Sequence, residues 1–163
     1  MKIACRLLLV MPLLAAPLAT VAIADEAANE ALARRFYTEF NAGNIAAFDE
    51  FIAADFIDHT PTVPDAPQGL EGVKHEMQGY IAAFPDAKVV NDLVIPKDDY
   101  VTVVSTVTGT NTGPMMGMAA TGKPVKINAI DVWLVKDGKL AEVWHVEQLL
   151  QMMMQLGAMG GGK

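Results

Sequence analysis

The chain has 163 residues, which is enough for one domain with a short additional segment and too few for two domains with substantial cores. Hydrophobic residues make up 52% of the chain, and its formal net charge at pH 7 is −7. An acidic surface repels the phosphates of nucleic acids and the headgroups of anionic membranes, so neither is expected as a partner.

The first 24 residues have the pattern of a secretory signal peptide. Lys2 and Arg6 precede an apolar run that ends near Leu18, and Ala22-Ile23-Ala24 supplies the small residues of a cleavage site. We expect cleavage after Ala24, a secreted or periplasmic location, and no membrane association afterwards. The competing hypothesis, a retained membrane anchor, is disfavoured because the run is short for a bilayer and two prolines interrupt it.

Loss of this leader changes the charge and the thiol content of the chain. It removes two basic residues and no acidic one, so the net charge changes from −7 to −9. It also removes Cys5, the single cysteine. Disulfides, thiol catalysis and thiolate metal sites are therefore not expected in the mature domain, whose stability must come from its hydrophobic core.

The first part of the mature chain is predicted to be helical. Leu32, Phe36 and Phe40 recur at every fourth position and predict an amphipathic helix that ends near residues 42–43. Asn44 is a suitable N-cap for a second helix, which carries three apolar residues on one side, Phe48, Phe51 and Ile52.

A long loop and a third helix follow. Residues 58–69 contain three prolines and a glycine, a composition that excludes regular structure and predicts a loop. Apolar residues at mixed spacings of three and four, from Leu70 to Phe84, predict a helix that Pro85 ends.

After Pro85 the hydrophobic period changes to two, which predicts strands. The predicted strands cover residues 87–95, 100–110, 123–136 and 139–147. Because helices come first and strands follow without alternation, we predict an α+β fold, with the N-terminal helices packed in the concave face of a strongly curved mixed or antiparallel sheet. A short helix at 149–156 and a flexible Gly-rich tail at 158–163 complete the chain.

Two polar residues interrupt apolar rows on neighbouring strands. These are Asp131 and His145. Their side chains share a face of the sheet only if the loop between the strands has an odd number of residues. A three-residue loop, Lys136-Asp137-Gly138, with a bulge is expected to provide it. Together the pair can hold or pass a proton near neutral pH, as a general acid and base do. The alternative is a buried polar pair with only a structural role.

Several further residues are candidates for a binding site. His59 lies where an element meets the long loop, a position typical of a cavity mouth, although it can also cap the turn. Tyr37 and Trp133 are candidates for lining a pocket or for the core. The histidines lack the spacing of a zinc site, so no metal is expected. Methionines at 115–118 and 152–159 indicate adaptable packing or a flexible lid, with Cu(I) binding as a less favoured alternative.

The order of elements and a set of short motifs resemble the SnoaL-like polyketide cyclases and ester cyclases, within the nuclear-transport-factor-2-like superfamily. The resemblance covers about residues 30–157, essentially the whole of the predicted mature domain, 25–157. The motifs are Phe36-Tyr37, Asn41-Ala-Gly-Asn44, His59-x-Pro61, Gly69, Asp131-x-Trp133, Asp137-Gly138-Lys139, Glu142-x-Trp144 and Gln155-Leu156-Gly157.

This resemblance implies a cone-shaped α+β barrel with a deep apolar cavity, a small hydrophobic substrate with a carbonyl group, and acid/base chemistry without a cofactor. Cyclase, isomerase, lyase or hydrolase activity is compatible with it, as is a non-catalytic ligand-binding protein, and homodimers are common in the superfamily.

The resemblance also implies roles for individual residues. In the cyclases an aspartate follows the tryptophan of the last strand and a histidine on the preceding strand assists it. Here His145 and Asp131 occupy these two positions in exchanged order. The resulting hypothesis is that His145, oriented by Asp131, moves a proton, while Tyr37, His59 and Trp133 shape the pocket.

Overall fold

The computed structural model describes residues 25–159, in which four α-helices pack against a five-stranded mixed sheet. The helices are α1 (Glu26–Asn41), α2 (Phe48–Phe51), α3 (Gly69–Ala83) and α4 (Leu149–Leu156), and a 3-10 turn (Ile45–Ala47) precedes α2. The strands are β1 (Ile52–Asp58), β2 (Lys88–Lys97), β3 (Tyr100–Thr110), β4 (Pro124–Lys136) and β5 (Lys139–Glu147). The predicted leader, residues 1–24, and residues 160–163 of the predicted tail lie outside the described residues.

The strand order in the sheet is β1-β5-β4-β3-β2. Strands β2 to β5 form an antiparallel meander, and β1 joins its far edge parallel to β5. The predicted α+β class and mixed sheet are confirmed, but the sheet is not closed into a barrel, because β1 and β2 are its two free edges. Within residues 25–159, no helix has the length and apolar character needed to span a membrane.

Strand β1 is an element that the sequence did not predict. The second helix was expected to include Ile52, but α2 makes a single turn and the backbone is extended from Ile52 onwards. Ile52 and Phe56 are buried, whereas Asp55 between them is exposed. The partner of β1 lies more than 80 residues further along the chain, so no local pattern reveals the pairing.

An aromatic cluster holds α1 and α2 against the sheet. The ring of Phe36 lies 5.0 Å from that of Phe48 and 4.7 Å from that of Trp133 on β4, measured between centroids. Phe48 and Phe51 are fully buried. Since buried aromatic rings contribute large apolar areas and prefer defined geometries, this cluster fixes the position of α1 relative to β4.

Three of the methionines belong to or contact a second apolar cluster, around Phe84 and Ile127. Met152 is buried in it, and Met115 and Met118 lie against its edge. These contacts support the packing interpretation for these three methionines, whereas Met116, Met154 and Met159 are exposed.

Two glycines of α3 differ in their surroundings and provide a test of how the 58–69 loop packs. A Cβ atom on Gly72 would lie 2.0 Å from the carbonyl oxygen of Pro67, whereas one on Gly79 would have nothing within 4 Å. We expect Gly72→Ala to lower the free energy of unfolding by about 1–3 kcal/mol, because the backbone at Pro67 must move.

The control Gly79→Ala is expected to raise the free energy of unfolding by about 0.5–1 kcal/mol, since alanine is the better helix former. Urea denaturation followed by circular dichroism measures both variants. Equal stabilisation by the two substitutions would contradict the close approach of the loop to α3.

Candidate active site

The turn between β4 and β5 is shorter than predicted. Lys136 pairs with Lys139, so the loop contains Asp137 and Gly138 alone. Both have positive φ angles, 51° and 72°, as the tight two-residue hairpin requires. A two-residue loop by itself would place the predicted aspartate and histidine on opposite faces of the sheet.

A β-bulge in β5 brings the two side chains to the same face. The register shifts by one residue beyond Leu134, because Ala141 has no partner on β4. One extra residue inverts the alternation of side chains along the rest of the strand. Asp131 and His145 therefore become direct cross-strand partners, through a bulge in the strand rather than an odd loop.

Both side chains line a cavity between the concave face of the sheet and helices α1 and α3. The cavity has a volume of about 110 Å³. Its walls are mainly apolar and aromatic, with Phe36, Phe40, Phe56, Tyr80 and Trp133 among them. The last residues of the long loop, 66–69, border it, and Pro67 and Gln68 there are exposed.

Asp131 belongs to a chain of three hydrogen-bonded side chains. The Tyr37 hydroxyl donates to Asp131 Oδ2 at 2.6 Å and accepts from Trp133 Nε1 at 2.9 Å. Burial raises the pKa of Asp131 to about 6. The hydrogen bond from Tyr37 and the charge of His145 lower this pKa but do not outweigh burial. This carboxyl group can therefore take up and release a proton near neutral pH.

His145 is held by two carboxylates. Its Nε2 lies 3.1 Å from Asp58 Oδ2 and its Nδ1 lies 3.0 Å from Glu147 Oε1. Burial lowers the pKa of His145, but the two hydrogen-bonded carboxylates outweigh it and raise the pKa to about 10. At neutral pH the ring is an imidazolium, which cannot act as a base. The groups that orient it are Asp58 and Glu147, rather than Asp131 as predicted.

Asp58 and Glu147 were missed by the sequence reasoning for different reasons. Glu147 follows His145 by two residues on the same strand, so period-two alternation places it beside the histidine. Asp58 reaches the site through the parallel pairing of β1 with β5, where it lies opposite Val143. Glu147 therefore had a signal in the sequence, and Asp58 had none.

The predicted ligand-binding residues divide into two groups. Tyr37 and Trp133 line the cavity. His59 instead stacks on Trp144, with ring centroids 4.1 Å apart and planes at 3°, and its Nε2 lies 2.6 Å from Glu142 Oε2. Glu142 and Trp144 alternate along β5 with the cavity-facing residues, so His59 lies on the outer face of the sheet and not at the cavity mouth.

The chain belongs to the SnoaL-like polyketide cyclase family, whose sequence pattern it matches over residues 31–156. A search of curated proteins finds no match to this sequence. The family predicted from the motifs is thus confirmed.

Solved structures support the same assignment. TsrD from Streptomyces laurentii is 25% identical with a TM-score of 0.76, and the match covers 83% of this chain and 98% of TsrD. A Bacillus cereus protein assigned as a polyketide cyclase is 32% identical, with a TM-score of 0.67 and coverage of 77% and 78%. IdmH from Streptomyces antibioticus, also assigned as a polyketide cyclase, is 28% identical, with a TM-score of 0.69 and coverage of 82% and 99%.

The hydrogen bond from Tyr37 is expected to control the proton affinity of Asp131. Tyr37→Phe removes a donor that stabilises the carboxylate, so the pKa of Asp131 should rise above its value of about 6. Carboxyl-carbon NMR titration measures this pKa directly.

Tyr80→Phe is the matched control, because Tyr80 lines the same cavity and its hydroxyl lies against the sulfur of Met152 at 3.9 Å. It should leave the pKa of Asp131 unchanged. An unchanged pKa in Tyr37→Phe as well would show that the tyrosine does not stabilise the carboxylate in solution.

Proposed function

We propose that this SnoaL-like domain carries out acid/base chemistry, without a cofactor, on a small hydrophobic carbonyl compound. The observation that carries the proposal is a carboxyl group, Asp131, buried in an apolar cavity with a pKa of about 6, on the same sheet face as the cationic His145. A general base works best when its pKa lies near the working pH.

Asp131 is the proposed base. It removes a proton from a carbon next to the substrate carbonyl, and the electron pair of the broken C–H bond moves into the carbonyl group to form an enolate. The protonated carboxyl group then returns the proton to the same molecule, so no electrons are gained or lost. Return to a different carbon gives an isomer. If the enolate first attacks a second carbonyl group, a C–C bond closes a ring and the resulting alkoxide takes the proton.

His145 contributes charge rather than proton transfer. Its positive charge favours the ionised form of Asp131 before the reaction, and it lies on the wall where the enolate charge develops. Because Asp58 and Glu147 accept both of its N–H groups, the ring is fixed in place. Tyr37 is a positioning residue, since it holds one oxygen of Asp131.

A second candidate function is ligand binding without catalysis. Among the described residues, every fully buried side-chain nitrogen or oxygen has a hydrogen-bond partner within the protein. A cavity in which the polar groups around Asp131 and His145 are already paired can enclose an apolar molecule without reacting with it.

Deuterium exchange distinguishes the two functions. 2-Tetralone, an apolar ketone with acidic protons next to its carbonyl group, is incubated with the protein in D₂O, and mass spectrometry follows deuterium uptake. We expect exchange above the buffer rate, and Asp131→Asn should reduce the catalysed rate by roughly 10²–10⁴-fold. The rate should rise with pH through about 6, as Asp131 ionises, and fall towards about 10, as His145 loses its charge.

Asp55→Asn is the control for the loss of one carboxylate, because Asp55 is exposed on β1 and does not line the cavity. It should retain the wild-type rate. If Asp131→Asn also retains that rate, Asp131 is not the base. If the protein binds 2-tetralone without accelerating exchange, the binding function is correct.

The proposal includes export and a homodimer. Export rests on the basic and apolar pattern of residues 1–24 and the small residues at 22–24. Native mass spectrometry of protein expressed with its full leader tests both points. We expect a dimer of 139-residue chains that begin at Asp25. A chain that keeps its first 24 residues would contradict the cleavage, and a monomer would contradict the dimer.

A further inference from the structure

We infer that the cavity selects a ligand with a basic amino group on an apolar body. This inference rests on the proposed function, since it names the class of substrate for the same cavity: a carbonyl compound that also carries an amine. Three features of the cavity support it, namely the charge of its walls, an unpaired carboxyl group on α3 and an aromatic lining.

The cavity walls are acidic. Four carboxylic acids line the cavity, and His145 is the single basic side chain among the lining residues. These acids are Asp58, Glu76, Asp131 and Glu147. With all five groups charged the walls carry a net charge of −3, and with two of the acids protonated they still carry −1. Ligands with a carboxylate or phosphate group are therefore repelled, and cations are attracted.

Glu76 differs from the other three acids because it is not engaged by a protein group. Asp58 and Glu147 bind His145, and Asp131 binds Tyr37. Glu76 makes no hydrogen bond or ion pair with the described residues. Among those residues, no side-chain oxygen without a partner is fully buried, so the carboxyl oxygens of Glu76 are not fully buried either. Its carboxyl oxygens therefore remain accessible from the cavity.

The surroundings of Glu76 make its negative charge costly without a ligand. Burial raises its pKa, the charge of His145 opposes this, and the neighbouring carboxylates of Asp58 and Glu147 raise it further. An ammonium group bound at Glu76 would offset both the burial and the repulsion. Glu76 is thus a specificity-determining residue.

The aromatic lining favours an organic cation over a hydrated metal ion. Phe36, Phe40 and Phe56 line the cavity together with Tyr80 and Trp133. The faces of aromatic rings attract ammonium groups, and a carboxylate beside such rings is an arrangement that binds amines. The remaining apolar surface is suited to the hydrocarbon body of the ligand.

Three compounds with the same bicyclic skeleton test the inference. At pH 7.5, 2-aminotetralin is a cation, 2-tetralone is neutral and tetralin-2-carboxylic acid is an anion. Isothermal titration calorimetry with the full mature protein measures their Kd values. We expect the amine to bind about tenfold or more tightly than the ketone, and the acid about tenfold or more weakly than the ketone.

Glu76→Gln should weaken amine binding about tenfold relative to ketone binding. Glu71→Gln is the matched control, because it removes one negative charge from the same helix at a side chain that is 83% exposed. It should leave the preference for the amine unchanged. The inference is overturned if amine and ketone bind equally, if the amine does not bind, or if the two variants weaken amine binding equally.

The proposed function is tested separately by deuterium exchange into 2-tetralone. Selective amine binding without exchange would support the amine specificity and exclude the catalysis. Exchange without preference for the amine would support the catalysis and overturn the amine specificity.

Discussion

One extra residue in β5 decides which side chains meet in the cavity. The bulge at Ala141 inverts the alternation of β5 relative to β4, and Asp131 and His145 face the same side of the sheet because of it. Without the bulge, the two-residue turn would direct them to opposite faces, and His145 would be separated from Asp58. The electrostatic properties of the cavity thus depend on a local irregularity of the hydrogen-bonding ladder.

The charges of the cavity are divided between two separate networks. His145 is an imidazolium because two carboxylates accept its N–H groups, and this balance overcomes the cost of burial. Asp131 receives a neutral donor, Tyr37, and its pKa rises because burial prevails. Two groups with widely separated pKa values on one wall are typical of acid/base sites. In the proposed function Asp131 is the base, whereas the hypothesis from the sequence assigned proton transfer to His145.

Family membership and reaction are separate conclusions. The match over residues 31–156 shows the family, and the structure shows the architecture: an open sheet, helices on its concave face and a cavity between them. The aromatic cluster around Phe36 and Trp133 builds one wall of that cavity and holds α1, which carries Tyr37, against β4. The chemistry then depends on which polar side chains project from this frame.

The sequence by itself determined the α+β order, the four helices apart from the length of the second, the four antiparallel strands and the family. These features depend on periodicity, turn residues and motifs that lie close together in the chain. It also identified Asp131, His145, Tyr37 and Trp133 as cavity candidates. The tertiary structure alone decided that β1 pairs with β5, that Asp58 reaches His145 and that His59 lies on the outer face. The physical reason is that strand partners distant in sequence and single-residue bulges leave no periodic signal, although they determine which charges meet.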